Sequence, residues 1–257
     1  MTRFTALIVA LFATVFLPAG AARAESLVAG LSQNAVQITA TFVGSEILIF
    51  GAIKRDAPIP EGDMGVIVTV EGPSEPITVR RKEKRMGIWV NTDAVEVSSA
   101  PTFYAIATTG PFHDLVSENV DKLLHISIPA SIKIYDRSQV EDPENFAEAV
   151  RRIREKSGLY KLDEGGVTLR ENTLFDARIE LPANLTEGTY ETRIFLTRGG
   201  KVVTETVSSI DVHKVGLERW LYKLAHEQAV LYGLMSLAIA VAAGWGASTF
   251  FRVFFNS

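Results

Sequence analysis

The chain contains no cysteine. That one absence excludes disulfides, thiolate metal sites, thiol catalysis and the lipid-acceptor cysteine of a bacterial lipoprotein. Acidic residues are missing from both ends, since every Asp and Glu lies between Glu25 and Glu227. Only Arg3, Arg23 and Arg252 are charged outside that stretch. Histidine is scarce, and His113, His125, His213 and His226 form no pair with the spacing of a local metal site. There is no Gly-x-Ser-x-Gly elbow and no Gly-rich loop between a strand and a helix, so nucleophile and nucleotide signatures are both missing. The reading is of a protein that is not an enzyme and holds no cofactor or metal.

What is present is strongly segregated. The 257 residues carry a net charge of −4 and a mean hydropathy of +0.17. Setting aside the three end arginines leaves 23 basic against 30 acidic residues in the middle, a surplus of about seven negative charges that favours solubility. Nucleic acid is not the expected partner, because neutralising phosphates needs a basic face.

The two ends are apolar in different ways. Arg3 precedes an apolar run from Phe4 to Leu17, which Pro18 and Gly20 break, and Ala22-Arg23-Ala24 supplies a small-x-small cleavage pattern. That order predicts a signal peptide over 1–24, cut after Ala24, with an uncleaved anchor as the alternative. At the other end no residue from Gln228 to Phe251 is charged. As a helix that run reaches roughly 36 Å at 1.5 Å per residue, enough to cross the hydrocarbon core. The expected topology is an exported middle, one transmembrane helix over 229–251 and a cytoplasmic tail over 252–257. This places the protein in the inner membrane with its N-terminal domain periplasmic.

The middle reads as mainly β: a periplasmic β-sandwich-like, immunoglobulin-like domain or domains with one or two short helices. Strands are expected at Val36–Thr41, Glu46–Ile53, Val66–Val70, Ile77–Val79, Ile88–Val90 and Phe103–Ala107. The continuous apolar sequence Ile47-Leu48-Ile49-Phe50 predicts a strand buried on both faces. These make a β-rich module over 25–110. A helical connecting segment is expected over 111–160. It holds a short helix through Leu115, Val116, Val120, Leu123 and Leu124, and a clearer one opened by Asp142-Pro143-Glu144. Phe146, Ala149, Val150 and Ile153 then share a face. A second β-rich, immunoglobulin-like module is expected over 161–213, with strands at Val167–Leu169, Phe175–Leu181, Tyr190–Leu196 and Val202–Val212. Gly199-Gly200 marks a hairpin turn, and Gly188-Thr189-Tyr190 has the form of a tyrosine corner. Whether the two β stretches build one unit or two stays open. An amphipathic juxtamembrane helix over 214–228 completes the chain, with Leu217, Trp220, Leu221 and Leu224 on one stripe.

Two constellations are candidate contact sites. Arg80-Arg81-Lys82-Glu83-Lys84-Arg85 puts five basic residues in an otherwise acidic domain, with Trp89 just beyond. It reads either as a docking surface for an anion, a lipid headgroup or an acidic partner, or as an exposed strand whose charges discourage aggregation. In the terminal helix, Ser236, Ala240, Gly244 and Ser248 recur every four residues, a small-residue face against which another helix can pack.

The layout resembles the alphaproteobacterial transmembrane proteins grouped as Alph_Pro_TM. The resemblance rests on Val36-Gln-Ile-Thr39, on Phe42-Val-Gly-Ser-Glu-Ile-Leu-Ile-Phe-Gly51, on Val79-Arg-Arg-Lys-Glu-Lys-Arg-Met-Gly-Ile-Trp-Val-Asn91 and on the C-terminal span. It implies no catalytic or ligand residues. Members accompany permeases of the sulfite-exporter (TauE/SafE) type, so the resemblance implies an accessory partner of such a transporter. The alternative function is a periplasmic module that binds or senses a small anion.

Overall fold

Twelve strands and six helices are seen in the computed structural model, which describes residues 25–39, 41–55, 58, 62–134 and 142–255. The expected leader, with Ala22 and Ala24, lies outside the described residues. The strands are β1 (Ser26–Leu31), β2 (Ala35–Ile38), β3 (Ser45–Lys54), β4 (Met64–Glu71), β5 (Ser74–Arg85), β6 (Ile88–Pro101), β7 (Tyr104–Thr108), β8 (Tyr160–Glu164), β9 (Val167–Arg170), β10 (Leu174–Leu181), β11 (Gly188–Arg198) and β12 (Lys201–Lys214). The helices are α1 (Phe112–Leu115), α2 (Glu118–Leu124), α3 (Ile128–Ser131), α4 (Pro143–Lys156), α5 (Leu217–Glu227) and α6 (Ala229–Phe255).

Two sheets enclose the core. One has the order β1-β3-β10-β9 and the other β2-β12-β11-β4-β7-β8, while β5 and β6 form a separate two-stranded sheet. Strands from the two ends of the sequence alternate within both sheets: β3 pairs with β10 and β4 with β11. In this pairing neither β stretch closes a sheet without the other. Ile47, Ile49, Phe175 and Ile179 of the first sheet meet Val66, Val68, Ile194 and Leu196 of the second in one buried cluster. Each such side chain contributes about 1.5–3 kcal/mol on leaving water.

The central strands of the larger sheet are covered on both sides. Val66, Ile67, Val68 and Val70 of β4 are all buried, as is every residue of β7. The inner side faces the smaller sheet. The outer side is covered by the α1–α3 segment, to which Tyr104 Oη donates at 2.8 Å to the Ile126 carbonyl and Arg193 Nη2 at 3.0 Å to the Leu124 carbonyl.

β3 corrects the expectation of burial on both faces. Ile47, Ile49 and Ile53 point inward, but Leu48 and Phe50 point outward, and Phe50 is 46 % exposed. The outward ring has a local task. A Cβ on the cross-strand partner Gly30 would lie 3.1 Å from it, so the ring covers backbone that glycine leaves bare.

The expected helix around Leu115–Leu124 is split. Val116 adopts an extended conformation between α1 and α2 and is buried. In α4, Pro143 occupies the first turn and Phe146 and Val150 are buried, whereas Ile153 is 61 % exposed. Asp142 sits at the N-cap position but makes no side-chain cap bond. The Gly199-Gly200 turn has φ of 55° and 76°, the left-handed values a tight hairpin needs. Tyr190 is a tyrosine corner: it is buried and its Oη donates at 2.9 Å to the Thr186 carbonyl.

At the end of the sandwich near the β11–β12 turn, three charges are drawn inside. Glu25 Oε1 accepts from Arg55 Nε at 2.6 Å and from Arg198 Nη2 at 3.0 Å, and Oε2 lies 2.8 Å from Arg198 Nη1. The side chains are 7 %, 10 % and 13 % exposed. This cluster ties the first described residue to β3 and β11.

Candidate functional site

The hairpin β5–β6 stands apart from both sheets. Its strands have 12 and 14 residues, where the sequence showed only Ile77–Val79 and Ile88–Val90 on either side of the basic run. Its lower part is held by α4. Ile77 pairs with Val97 and Val79 with Val95, so these four side chains share the hairpin face that meets Phe146 and Val150. The other face, through Thr78, Arg80, Ala94 and Glu96, is exposed. One clamp ends the contact. Arg81 Nη2 donates at 2.7 Å to Asp142 Oδ2, Nη1 lies 3.7 Å from Asp93 Oδ2, and the guanidinium sits 4.7 Å over the Phe146 ring. The hydrogen bond from Arg81, with a second from Asn145, holds the Asp142 carboxyl below its ordinary value, and the same bond raises Arg81.

The base of the hairpin is hydrogen-bonded into the sandwich. Gly72 N donates to the Phe103 carbonyl and Thr102 N to the Pro73 carbonyl. Tyr160 Oη donates at 2.7 Å to the Pro101 carbonyl and Arg154 Nη1 at 3.2 Å to the Thr102 carbonyl. The tyrosine corner backs this junction, since a Cβ on Gly72 would stand 2.9 Å from both the Tyr190 ring and Thr102 Oγ1. Burial pushes the phenols of Tyr104 and Tyr160 upward and that of Tyr190 up to about 12. All three hydroxyls donate to backbone carbonyls, so these groups serve the fold.

Strand register fixes where the base lies. Val212, near the end of β12, pairs with Gly188, and Glu71 at the end of β4 pairs with both Glu191 and Tyr104. A Cβ on Gly188 would meet Pro73 at 2.9 Å. The hairpin therefore leaves and rejoins the sandwich at the end from which β12 runs into α5 and α6.

Beyond the clamp the tip is exposed. Lys82, Glu83, Lys84 and Arg85 face Asn91, Val90, Trp89 and Ile88 across the ribbon. Arg80, Lys82 and Lys84 are exposed, Arg81 is engaged by Asp142 and Asp93, and Arg85 Nη2 lies 3.3 Å from Glu83 Oε2. Met86 and Gly87 close the turn with φ of 47° and 86°. Met86 is fully exposed, Ile88 64 % and Trp89 68 %. Of the apolar tip residues only Trp89 was singled out from the sequence. Met86 and Ile88 gain meaning only once the turn is seen between them.

In α6, Ser236, Ala240, Gly244 and Ser248 are exposed, and no residue of the span Ala229–Phe250 is buried. A four-residue repeat advances about 40° beyond one full turn at 3.6 residues per turn, so the small residues wind around the helix as a slanting band. Among the described residues no group of three or more His, Asp or Glu is placed to hold a metal.

A β sandwich joined through a short amphipathic helix to a 22-residue apolar helix of mean hydropathy 1.7 defines the class: a membrane protein with a large β domain and a C-terminal span. The chain belongs to the family described as Putative transmembrane protein (Alph_Pro_TM), which it matches over residues 26–253. A search of the curated proteins finds no match.

Proposed function

We propose that the protein is a non-enzymatic accessory of another membrane protein, with its β domain on the periplasmic face of the inner membrane and its C-terminus in the cytoplasm. The partner in this reading is permease-like, of the sulfite-exporter type that the family resemblance implies. One observation carries the reading: the projecting hairpin and the spanning helix leave the sandwich at the same end. In this reading the hairpin works on the membrane side of the sandwich, beside whatever packs on the span. The exposed band Ser236, Ala240, Gly244 and Ser248 offers the span a close-packed helix contact. Anion capture at Arg81 is the weaker reading, because Asp142 and Asp93 already neutralise that guanidinium. The non-enzymatic assignment is supported by the strongly shifted phenols, each committed to a backbone carbonyl rather than to an open cleft.

The test is photo-crosslinking in intact membranes from a probe at Ala240, followed by mass spectrometry of the adducts. A polytopic protein captured by the parent and lost in Gly244→Leu is the expected result. Recovery of the protein uncrosslinked, or only as adducts with itself, would refute the accessory reading.

A further inference from the structure

We infer that the tip of the β5–β6 hairpin is a membrane-docking element that dips end-on into the headgroup layer of an anionic bilayer. The inference rests on α6 being a membrane span. It does not depend on which protein, if any, packs against that span.

The chemistry at the tip is that of an interfacial anchor. Trp89 and Ile88 are exposed beside a fully exposed Met86, and Lys82, Lys84 and Arg85 surround them. From Arg80 to Asp93 there are five basic and two acidic residues, in a chain whose net charge is −4. Trp suits the boundary between headgroups and chains, and nearby Lys and Arg are drawn to anionic lipid.

Geometry favours a lipid surface over a protein groove. Residues opposite one another in the ribbon project on the same side. The pair Lys84–Trp89 therefore lies on one face and Arg85–Ile88 on the other. Each face presents one apolar and one basic side chain. A protein groove reads one face of a strand or ribbon, whereas a bilayer surface surrounds an inserting tip on all sides. The tip also projects, because the five residues from Lys82 to Met86 extend roughly 17 Å past the Asp142 clamp at about 3.3 Å per residue.

The turn itself carries a second sign. Both turn residues have positive φ, and Met86 holds a position that Asn, Asp or Gly occupies at lower conformational cost. Closing the hairpin does not call for methionine there. An apolar contact at the extreme tip does.

The experiment uses the full chain with Trp220→Phe and Trp245→Phe, leaving Trp89 as the sole tryptophan, reconstituted at low protein density. Vesicles of phosphatidylcholine with phosphatidylglycerol, carrying bromine on the acyl chains, are compared with phosphatidylcholine alone. The expected result is blue-shifted, bromine-quenched Trp89 emission in the anionic vesicles. Replacing Lys82, Lys84 and Arg85 by Gln should lower the docked-to-free ratio on the order of 100-fold, at about fivefold per basic residue. Met86→Asn keeps turn chemistry the hairpin prefers, so it should reduce quenching while leaving the thermal midpoint unchanged. Water-exposed, unquenched Trp89 in anionic vesicles overturns the inference. So does protection that fades as the protein is diluted in lipid, which would assign the tip to a second copy. Either result leaves the crosslinking test of the accessory reading untouched.

Discussion

Replacing Glu25 by Gln tests how firmly the buried ion cluster closes the far end of the sandwich. The variant keeps the size of the side chain and one carbonyl acceptor but removes the negative charge that Arg55 and Arg198 share, and these two are 10 % and 13 % exposed. Removing one partner of a buried pair costs about 3–5 kcal/mol, and the retained acceptor and partial solvent access reduce this to about 2–3 kcal/mol. With a urea slope of about 2 kcal/mol per molar, the unfolding midpoint should fall by about 1–1.5 M. The measurement is equilibrium urea unfolding of the full-length protein in detergent, followed by fluorescence. A midpoint within about 0.3 M of the parent would refute the reasoning. The acid limb gives a second check. Burial pushes the Glu25 carboxyl up, but hydrogen bonds from Arg198 and Arg55, together with their charges, hold it below its ordinary 4.5. A carboxylate with a depressed folded value contributes fully above the unfolded value, and the contribution is lost as pH falls through the folded one. The gap between parent and variant should therefore be constant from neutrality down to about 4.5 and close below it. A gap that persists into strong acid would show that charge is not its origin.

Glu71 should behave in the opposite sense. Burial raises its carboxyl, and the charge of Glu191 directly across β4–β11 adds to the rise. The folded state is then penalised as pH climbs past the ordinary value, so Glu71→Gln should raise stability at neutral pH by about 0.5–1 kcal/mol and give no gain in acid, as read from thermal midpoints. Tyr190→Phe keeps the ring in the core but leaves the Thr186 carbonyl without its donor. It should cost about 1 kcal/mol, a fall of about 0.5 M in the urea midpoint. Gly51→Ala should be worse, because its Cβ would stand 2.4 Å from the Val28 carbonyl oxygen and 2.6 Å from the Phe175 ring. A loss of about 2–3 kcal/mol is expected in the same assay.

Much of the β pattern could be read from local sequence. The strands from β9 to β12 lie close to their apolar runs because turn residues bracket them, and Gly199-Gly200 sets its own turn by needing positive φ. Edge strands were harder to see. β1 and β8 were not anticipated: β8 is a short edge strand whose Lys161, Leu162 and Glu164 include a large apolar residue 45 % exposed, so alternation is blurred. The hairpin was seen in part, as short strands at Ile77–Val79 and Ile88–Val90 and as one reading of the basic run. The charged residues lack the apolar alternation that would mark the run as one continuous strand with Ile77–Val79. The basic residues of the candidate site were plain from composition. Their division into a clamped Arg81 and an exposed tip was not, since Asp142 and Phe146 reach Arg81 from 61 and 65 positions along the chain. The half-buried Leu48 and the exposed Phe50 show the limit of reading burial from apolar continuity, because apolar atoms also make up much of a folded surface.

The interleaving of the two sheets has a consequence for how the chain matures. A polypeptide emerges N-terminus first, yet β3 waits for β10 and β4 for β11. Glu25 meets Arg198 across 173 positions. Contacts so distant make for slow closure, and the apolar β4, which finds β7 early, is left without β11 on its other side until almost all of the domain has been made. The last strand, β12, ends at Lys214, only a short helix before the membrane span begins at Ala229. Completing the sandwich and delivering the spanning helix to the bilayer thus fall within the same brief interval of biosynthesis, and a delay in either lengthens the time the other spends exposed.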